Sequence, residues 1–506
     1  MNSYWLFGAV IILVLQSSIS TGEAQDANTL EIIKQLQKRI DDLEKKVKSL
    51  EAGKPAETPG IDTPSKQRIE ALDQKVKILE RNRELEIEAA EAKAKEAPHI
   101  KLGAEGFSFA SADRNFAIGL KGVLQVDSRT FLDDGGIAGN DSILLRRARP
   151  VLEGTVYRDF DFLFVPDFAG SSPQIFDAYV NYRYNPALQL RAGKFKSPIG
   201  LEQLMADRDT FFNERSLVTA LVPNRDLGID LHGELFESAI SYDAGIFNGI
   251  GDGRNSSNFD FDDNKAFEGR LFFQPFKATA NQALQGVGFG VAGSYENMQG
   301  NSATGLPAST GGTLPGFVTD GQQQFFAYNP GSNAVVTASG EHWRLSPQAY
   351  YYWGPFGFLA EYIISNQKVS RSVTGPFASA SLDNRAWEIT GSWVLTGEDA
   401  TYKTLIPLRP FKPNQGDWGA FQLVARYAEL DVDNDAFPLF SNPGTSASSA
   451  HAFSVGLNWF LNRNILVKTS FSHTDFSGGG GSGSTAPAAV TRQDENVFFT
   501  RIQLAF

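Results

Sequence analysis

The sequence predicts an all-β protein: a 16-stranded antiparallel transmembrane β-barrel, preceded by an N-terminal signal peptide and a helical coiled-coil segment. Three observations carry that expectation. From about Ile100 onward, apolar and polar residues alternate with a period of two in one segment after another. The polar faces hold charges in mid-strand and the opposite faces hold Trp, Phe and Ile, as a lipid-facing wall around a wet interior requires. The segments mostly run 9–15 residues, longer than the ~5–6 of soluble sheets and close to the ~9–11 needed to cross a bilayer at a tilt.

The N-terminus, residues 1–24, reads as an export signal. "WLFGAVIILVLQSSIS" is an apolar run followed by small residues, and "TGEAQ" offers a small-x-small cleavage site ending at Ala24. No Lys or Arg precedes the run, which departs from the usual pattern. Residues 25–52 carry heptads, with Ile33, Ile40 and Val47 at a and Leu36, Leu43 and Leu50 at d, a coiled-coil seam. "GKPAETPGIDTP" makes 53–65 a Pro/Gly linker. A second coiled-coil-like helical segment, 66–97, repeats the pattern through Ile69, Leu72, Val76 and Leu79 before Arg83 and Glu86 break it. Two readings stay open for these helices: a solvated spacer, or an oligomerising or tethering stalk.

Residues 100–506 form the expected barrel. Sixteen segments alternate, from 116–131, 142–155 and 158–168 to 464–476 and 496–506. In the first, Phe116, Ile118, Leu120, Leu124 and Val126 share one face, and Lys121, Gln125, Asp127 and Arg129 the other. Short turns ("YNPA", "FES", "GP", "NRN") alternate with long loops at 198–226, 248–264, 299–341, 433–450 and 477–495, as in transmembrane barrels. The connection 398–417 should be short and is not. The ending "NVFFTRIQLAF" sets Phe498, Ile502, Leu504 and Phe506 against Phe499, Arg501, Gln503 and Ala505. Because a sheet edge in lipid has no water to satisfy it, this reads as a closing strand with a greasy outer face. An even strand count puts both chain ends on the periplasmic side.

The 506 residues carry a net charge of −12 and no Cys. An acidic balance argues against nucleic acid, and the missing Cys excludes disulfides and thiolate metal sites. No cofactor motif stands out. "SGGGGSGST" lacks the Lys-Ser/Thr and helix of a phosphate-binding loop. Asp431, Asp433 and Asp435 echo half a calcium loop without its Gly or flanking helices. Four histidines, His232, His342, His451 and His473, come with no nucleophile motif, so no enzyme is expected.

"ILLRRARPVLEGTVYRDFDFLFVPDF" (143–168), "DAYVNYRYNPALQLRAGKFKSPIGLEQL" (177–204), "FFNERSLVTALVPNRDLGIDLHG" (211–233), "SWVLTGEDATY" (392–402) and "GAFQLVARYAELDVD" (419–433) together resemble the phosphate-selective porin O and P family. The resemblance spans roughly 110–506. It implies a 16-stranded outer-membrane barrel, commonly trimeric, that conducts anions or small solutes, with the helices in the periplasm.

A selective pore needs charges at a constriction, and Arg suits phosphate because its fork donates two parallel hydrogen bonds. The loop 198–226 is expected to fold inward, carrying Arg208, Arg215 and Arg225 with Glu202, Asp207, Asp209 and Glu214. The pore-lining candidates are these three arginines with Lys121, Arg129, Arg147, Arg149, Arg191, Lys194, Lys196, Arg270, Arg426 and Lys468; Arg183 and Arg501 share the inward parity. Arg147 and Arg149 share one strand face and Arg146 the other, so a regular strand points two of the three inward. Lys194 and Lys196 share parity with outward Leu188 and Leu190, which requires a bulge at Gly193 or a place at the rim. Residues 100–506 hold 31 basic and 41 acidic side chains, and Asp127, Glu153, Glu268 and Glu388 also face inward. The expected function is passive diffusion of small solutes, anions such as phosphate among them, through a homotrimer in outer-membrane lipid. The alternative is an envelope protein tethering the outer membrane to the cell wall through its stalk.

Overall fold

The computed structural model describes residues 45, 63–132, 139–256, 258, 260, 263–300, 314–329, 335–372, 378–481 and 491–506. The export signal and, apart from Lys45, the 25–52 coiled coil lie outside them. Two compact units divide the chain, Met1–Ala92 and Lys93–Phe506. In the first lies most of helix α1, Thr63–Glu96. Its a and d residues Leu72, Val76 and Leu79 are half or more exposed, so the seam has no partner among the described residues.

The second unit is the barrel. A short hairpin, β1 (His99–Gly103) and β2 (Gly106–Ala110), comes first. Barrel strands follow as β3 (Ala117–Leu132), β4 (Ser142–Val156), β5 (Phe160–Asp167), β6 (Gln174–Asn185), β7 (Leu188–Lys196), β8 (Arg225–Leu235), β9 (Ile240–Phe247), β10 (Ala266–Phe273) and β11 (Val287–Gln299). A small pair, β12 (Phe317–Val318) and β13 (Gln324–Phe326), interrupts the series. The wall then resumes with β14 (Val335–Trp353), β15 (Phe356–Ser372), β16 (Ala378–Val394), β17 (Ala420–Asp431), β18 (Ala447–Phe460), β19 (Ile465–Gly478) and β20 (Glu495–Ala505). These sixteen pair antiparallel in chain order, and β20 closes on β3, leaving no free edge.

The closing strand is built as its pattern predicts. Phe498, Ile502, Leu504 and Phe506 are exposed on the outer face, while Phe499, Arg501, Gln503 and Ala505 are buried. Phe506 exchanges two backbone hydrogen bonds with Gly122, at 3.0 and 3.1 Å. Its ring lies where a Gly122 side chain would stand, 2.7 Å from an added Cβ, so any larger residue there displaces the terminal ring. Beyond that point β2 takes over the edge of β3, pairing Phe107 with Leu120, and so prolongs the seam.

The wall is inside-out relative to a soluble protein. Exposed large residues are Leu, Ile, Phe and Trp, whereas Gln125, Asp127, Glu388, Arg426, Lys468 and Arg501 are among the most buried. The long connection 395–419 has a physical reason. Ala400 N bonds Gly354 O at 2.7 Å, Tyr402 Oη bonds Leu201 O at 2.5 Å, and Leu405 is buried with Val394, Ala420 and Phe460. It is long because it fills the mouth of the barrel beneath β16–β18.

Candidate functional site: an arginine-rich passage

Residues 197–224, between β7 and β8, run across the barrel interior. Short helix α2 (Leu201–Leu204) donates Leu201 N and Glu202 N to Glu361 of β15 at 2.9 and 3.1 Å. Asn458 of β18 donates to Phe211 O at 3.0 Å, Lys468 of β19 to Thr210 O, and Gln503 of β20 to Arg208 O at 3.0 Å. A turn at Leu217–Leu221 packs Leu217, Val218 and Leu221 with Val336, Ile363, Leu382 and Ala428 of the wall. The segment carrying β12 and β13 fills the space above: Asp320 accepts from Arg426 at 2.8 Å and from Ser454 and Ser472 at 3.0 and 2.9 Å.

The crossing segment leaves open space on the opposite side. A cavity of about 780 Å³ lies against β3–β10 and is lined by Lys121, Glu153, Asp177, Arg191, Arg208, Asp243 and Arg270 among others. A second, of about 490 Å³, includes Arg146, Arg147, Glu214, Arg215 and Arg254. The two share Arg149, Asp207 and Arg225, all buried, which separate them as a neck.

At the neck one carboxylate meets four guanidinium groups. Asp207 lies 2.8 Å from Arg215, 3.4 Å from Arg147 and 3.6 Å from Arg225, and it also bonds Arg149. Arg149 is shared with Asp167 at 2.6 Å, and Arg225 with Asp177 at 3.1 Å. Glu214 takes Arg129 at 2.8 Å and Arg146 at 2.6 Å. Lys196 donates to Gln203 O and Met205 O at 2.8 and 2.6 Å, with no carboxylate within ion-pair distance among the described residues. Six arginines and Lys196 therefore face four carboxylates. Burial alone would raise the Asp207 carboxyl, but Arg147, Arg215 and Arg149 outweigh it and hold it well below the usual range. Glu214 is likewise depressed, burial being overcome chiefly by Arg146.

A match to the family model for phosphate-selective porin O and P covers residues 118–506. The chain belongs to that family. It is an outer-membrane porin, a channel protein. Among curated proteins none matches. Among solved structures it is similar to the outer-membrane channel DcaP of Acinetobacter baumannii, at 11% identity over 78% of this chain and 98% of that one, TM-score 0.48. It is also similar to outer-membrane expressed OmpT of Vibrio cholerae (12%, 78% and 98%, 0.46) and to an anion-selective porin from Comamonas acidovorans (11%, 77% and 100%, 0.45).

The porin's other basic candidates are placed differently. Arg191 is paired with Asp230 at 2.6 Å and Asp243 at 3.6 Å, and Lys121 with Glu153 at 2.6 Å. Arg270 bonds Gln348 at 2.9 Å and lies over the Phe272 ring, and Arg208 is half-exposed beside Asp209 at 3.5 Å. Lys194 donates to Ser256 O at 2.5 Å. Arg426, Lys468 and Arg501 are fully buried; Arg426 holds Glu202 at 3.1 Å and Arg501 holds Asp127 at 2.6 Å. Arg183 sits beside Asp161 at 2.7 Å, half-exposed.

Two expectations from strict alternation are corrected. The register slips between Gln125–Arg147 and Val126–Leu145, so Arg146 is the extra residue of a β-bulge. All three arginines of "RRAR" consequently reach the interior. No register slip occurs at Gly193; instead its φ of +136°, open to glycine and costly for other residues, twists the strand end. Lys194 and Lys196 then both reach inward-folded loops rather than lipid. Sequence reasoning missed Arg146, although three arginines in four positions cannot all satisfy a period of two and so signalled a bulge. It also missed Asp167, Asp177 and Asp320, whose roles depend on neighbours far away in the chain.

Proposed function

We propose that this porin is a passive channel with a preference for small anions, phosphate among them, and that residues 197–224 form its constriction. The observation that carries the reading is the excess of guanidinium over carboxylate at the Arg149–Asp207–Arg225 neck, in a barrel whose total charge is acidic. Six arginines and Lys196 against four carboxylates keep the neck net positive, and guanidinium donors suit a passing anion. Cation entry there meets repulsion that the narrow surroundings screen less than bulk water does. Hydrogen bonds spread over several arginines keep an anion's residence short, as conduction requires. Lys121, Arg191, Arg208 and Arg270 line the wider space below and feed the neck.

The trimer remains part of this reading, as does the placement of helix α1 in the periplasm. The unpartnered Leu72, Val76 and Leu79 also favour a role for the stalk in oligomerisation or cell-wall contact. Deleting residues 25–97 separates the roles: conductance persists while trimer stability or envelope attachment falls. For the channel itself, the folded chain is reconstituted in a planar bilayer. Ohmic current steps support the reading, and an inserted, heat-modifiable barrel that passes no current overturns it.

A further inference from the structure

One group of side chains lies outside the two cavities of the passage. It occupies the outward face of β17–β19 at the end where the long connections 432–446 and 479–494 leave the wall. The register sets Glu429 opposite His451, and His451 opposite Asp475. Asp431, two residues beyond Glu429, shares its face. Ligand atoms of Glu429, Asp431 and His451 all lie within 4.8 Å of one another. His451 Nδ1 is 2.9 Å from Asp475 Oδ1, and its Nε2 is 3.7 Å from Glu429 Oε1.

This is more than a collection of acids. The carboxylate of Asp475 on Nδ1 keeps the proton there and turns the Nε2 lone pair towards Glu429 and Asp431, the arrangement that orients metal-binding imidazoles. Among the described residues, none of the three carboxylates has a Lys or Arg within 4.0 Å, so no fixed cation relieves their mutual repulsion. Tyr427 and Phe453, two residues further from that end on the same face, are exposed and adjacent in register. The cluster lies nearer the loop ends of the strands than these rings, and its side chains are partly exposed.

We propose that Glu429, Asp431 and His451 bind a divalent ion of the zinc class, with Asp475 as the positioning residue. Mixed imidazole and carboxylate donors suit zinc, whereas calcium and magnesium take oxygen alone. Three protein ligands leave a fourth position for water.

The test uses Co²⁺ as an optical probe on the full chain, folded in detergent and checked by heat modifiability. Wild type gives a visible d–d band that Zn²⁺ bleaches and Mg²⁺ does not. His451→Gln abolishes it. Asp475→Asn weakens binding by about 10–100-fold, as loss of an orienting carboxylate does. His473→Gln, on the neighbouring strand, leaves it intact. Absence of a band in folded wild type, or a band that survives in His451→Gln, overturns the proposal, whatever the conductance of either protein.

Discussion

The two halves of the barrel interior present similar side chains to opposite fates. Along β14–β20, Arg426, Lys468 and Arg501 are as basic and as inward as anything in the chain. Each is closed in: Arg426 by Glu202 and Asp320, Lys468 by the carbonyls of Thr210 and Phe212, Arg501 by Asp127. Inward-folded chain and the apolar cluster around Phe317, Phe325 and Phe326 fill that half. Along β3–β10 the interior stays open, and Arg149 and Arg225 share one carboxylate with two further arginines. Inward charge alone therefore does not mark a pore residue. What distinguishes the two halves is whether the charge borders open space: Arg149 and Arg225 line both cavities, whereas Arg426, Lys468 and Arg501 line neither.

The largest effect is expected on the packed side. Arg501→Ala leaves Asp127 buried and unpaired, and loss of one partner of a buried pair costs about 3–5 kcal/mol. The midpoint of denaturant unfolding in detergent should fall accordingly, while ion selectivity of the surviving folded channels stays as in wild type. The open side should respond in the opposite manner. Replacing Arg149 and Arg225 together by Gln should lower the anion-to-cation permeability ratio on the order of tenfold, equivalent to about 1.4 kcal/mol, with folding retained.

A third outcome concerns pH. Asp207 and Glu214 tie the crossing segment to the arginines, and both carboxyls are held below their ordinary values of 3.8 and 4.5. A depressed carboxyl contributes stability that is present above its unfolded value and is lost as pH falls through the folded one. Single-channel conductance should therefore stay level from neutral pH down to about pH 4, with closure or noise confined to stronger acid. The smallest effect belongs to Lys121→Gln. Its pair with Glu153 is partly exposed, so stability should change by less than about 1 kcal/mol and conductance only slightly.

Much of the wall was legible in the sequence because it depends on a short-range rule. Alternation sets which face meets lipid, so Phe498 to Phe506, Ile118 to Val126 and the sixteen segments follow directly from spacing. The site was legible as a set of inward basic residues and an inward loop, but not as a neck. Alternation fails at Arg146, where a bulge adds one residue, and at Gly193, where a positive φ turns the strand. The pairing of Arg426 with Asp320 joins residues 106 apart in the chain, and nothing local in either segment specifies it. The connection 395–419 broke the short-turn rule because it packs as a plug, a property that its length alone does not reveal.

Reversal potential under a salt gradient reports which ion the neck admits. With the folded chain in a planar bilayer and potassium chloride more concentrated on one side, the potential should take the sign of chloride permeating faster than potassium. It should shift towards zero in Arg149→Gln/Arg225→Gln. A wild-type potential of the potassium-selective sign would contradict the account.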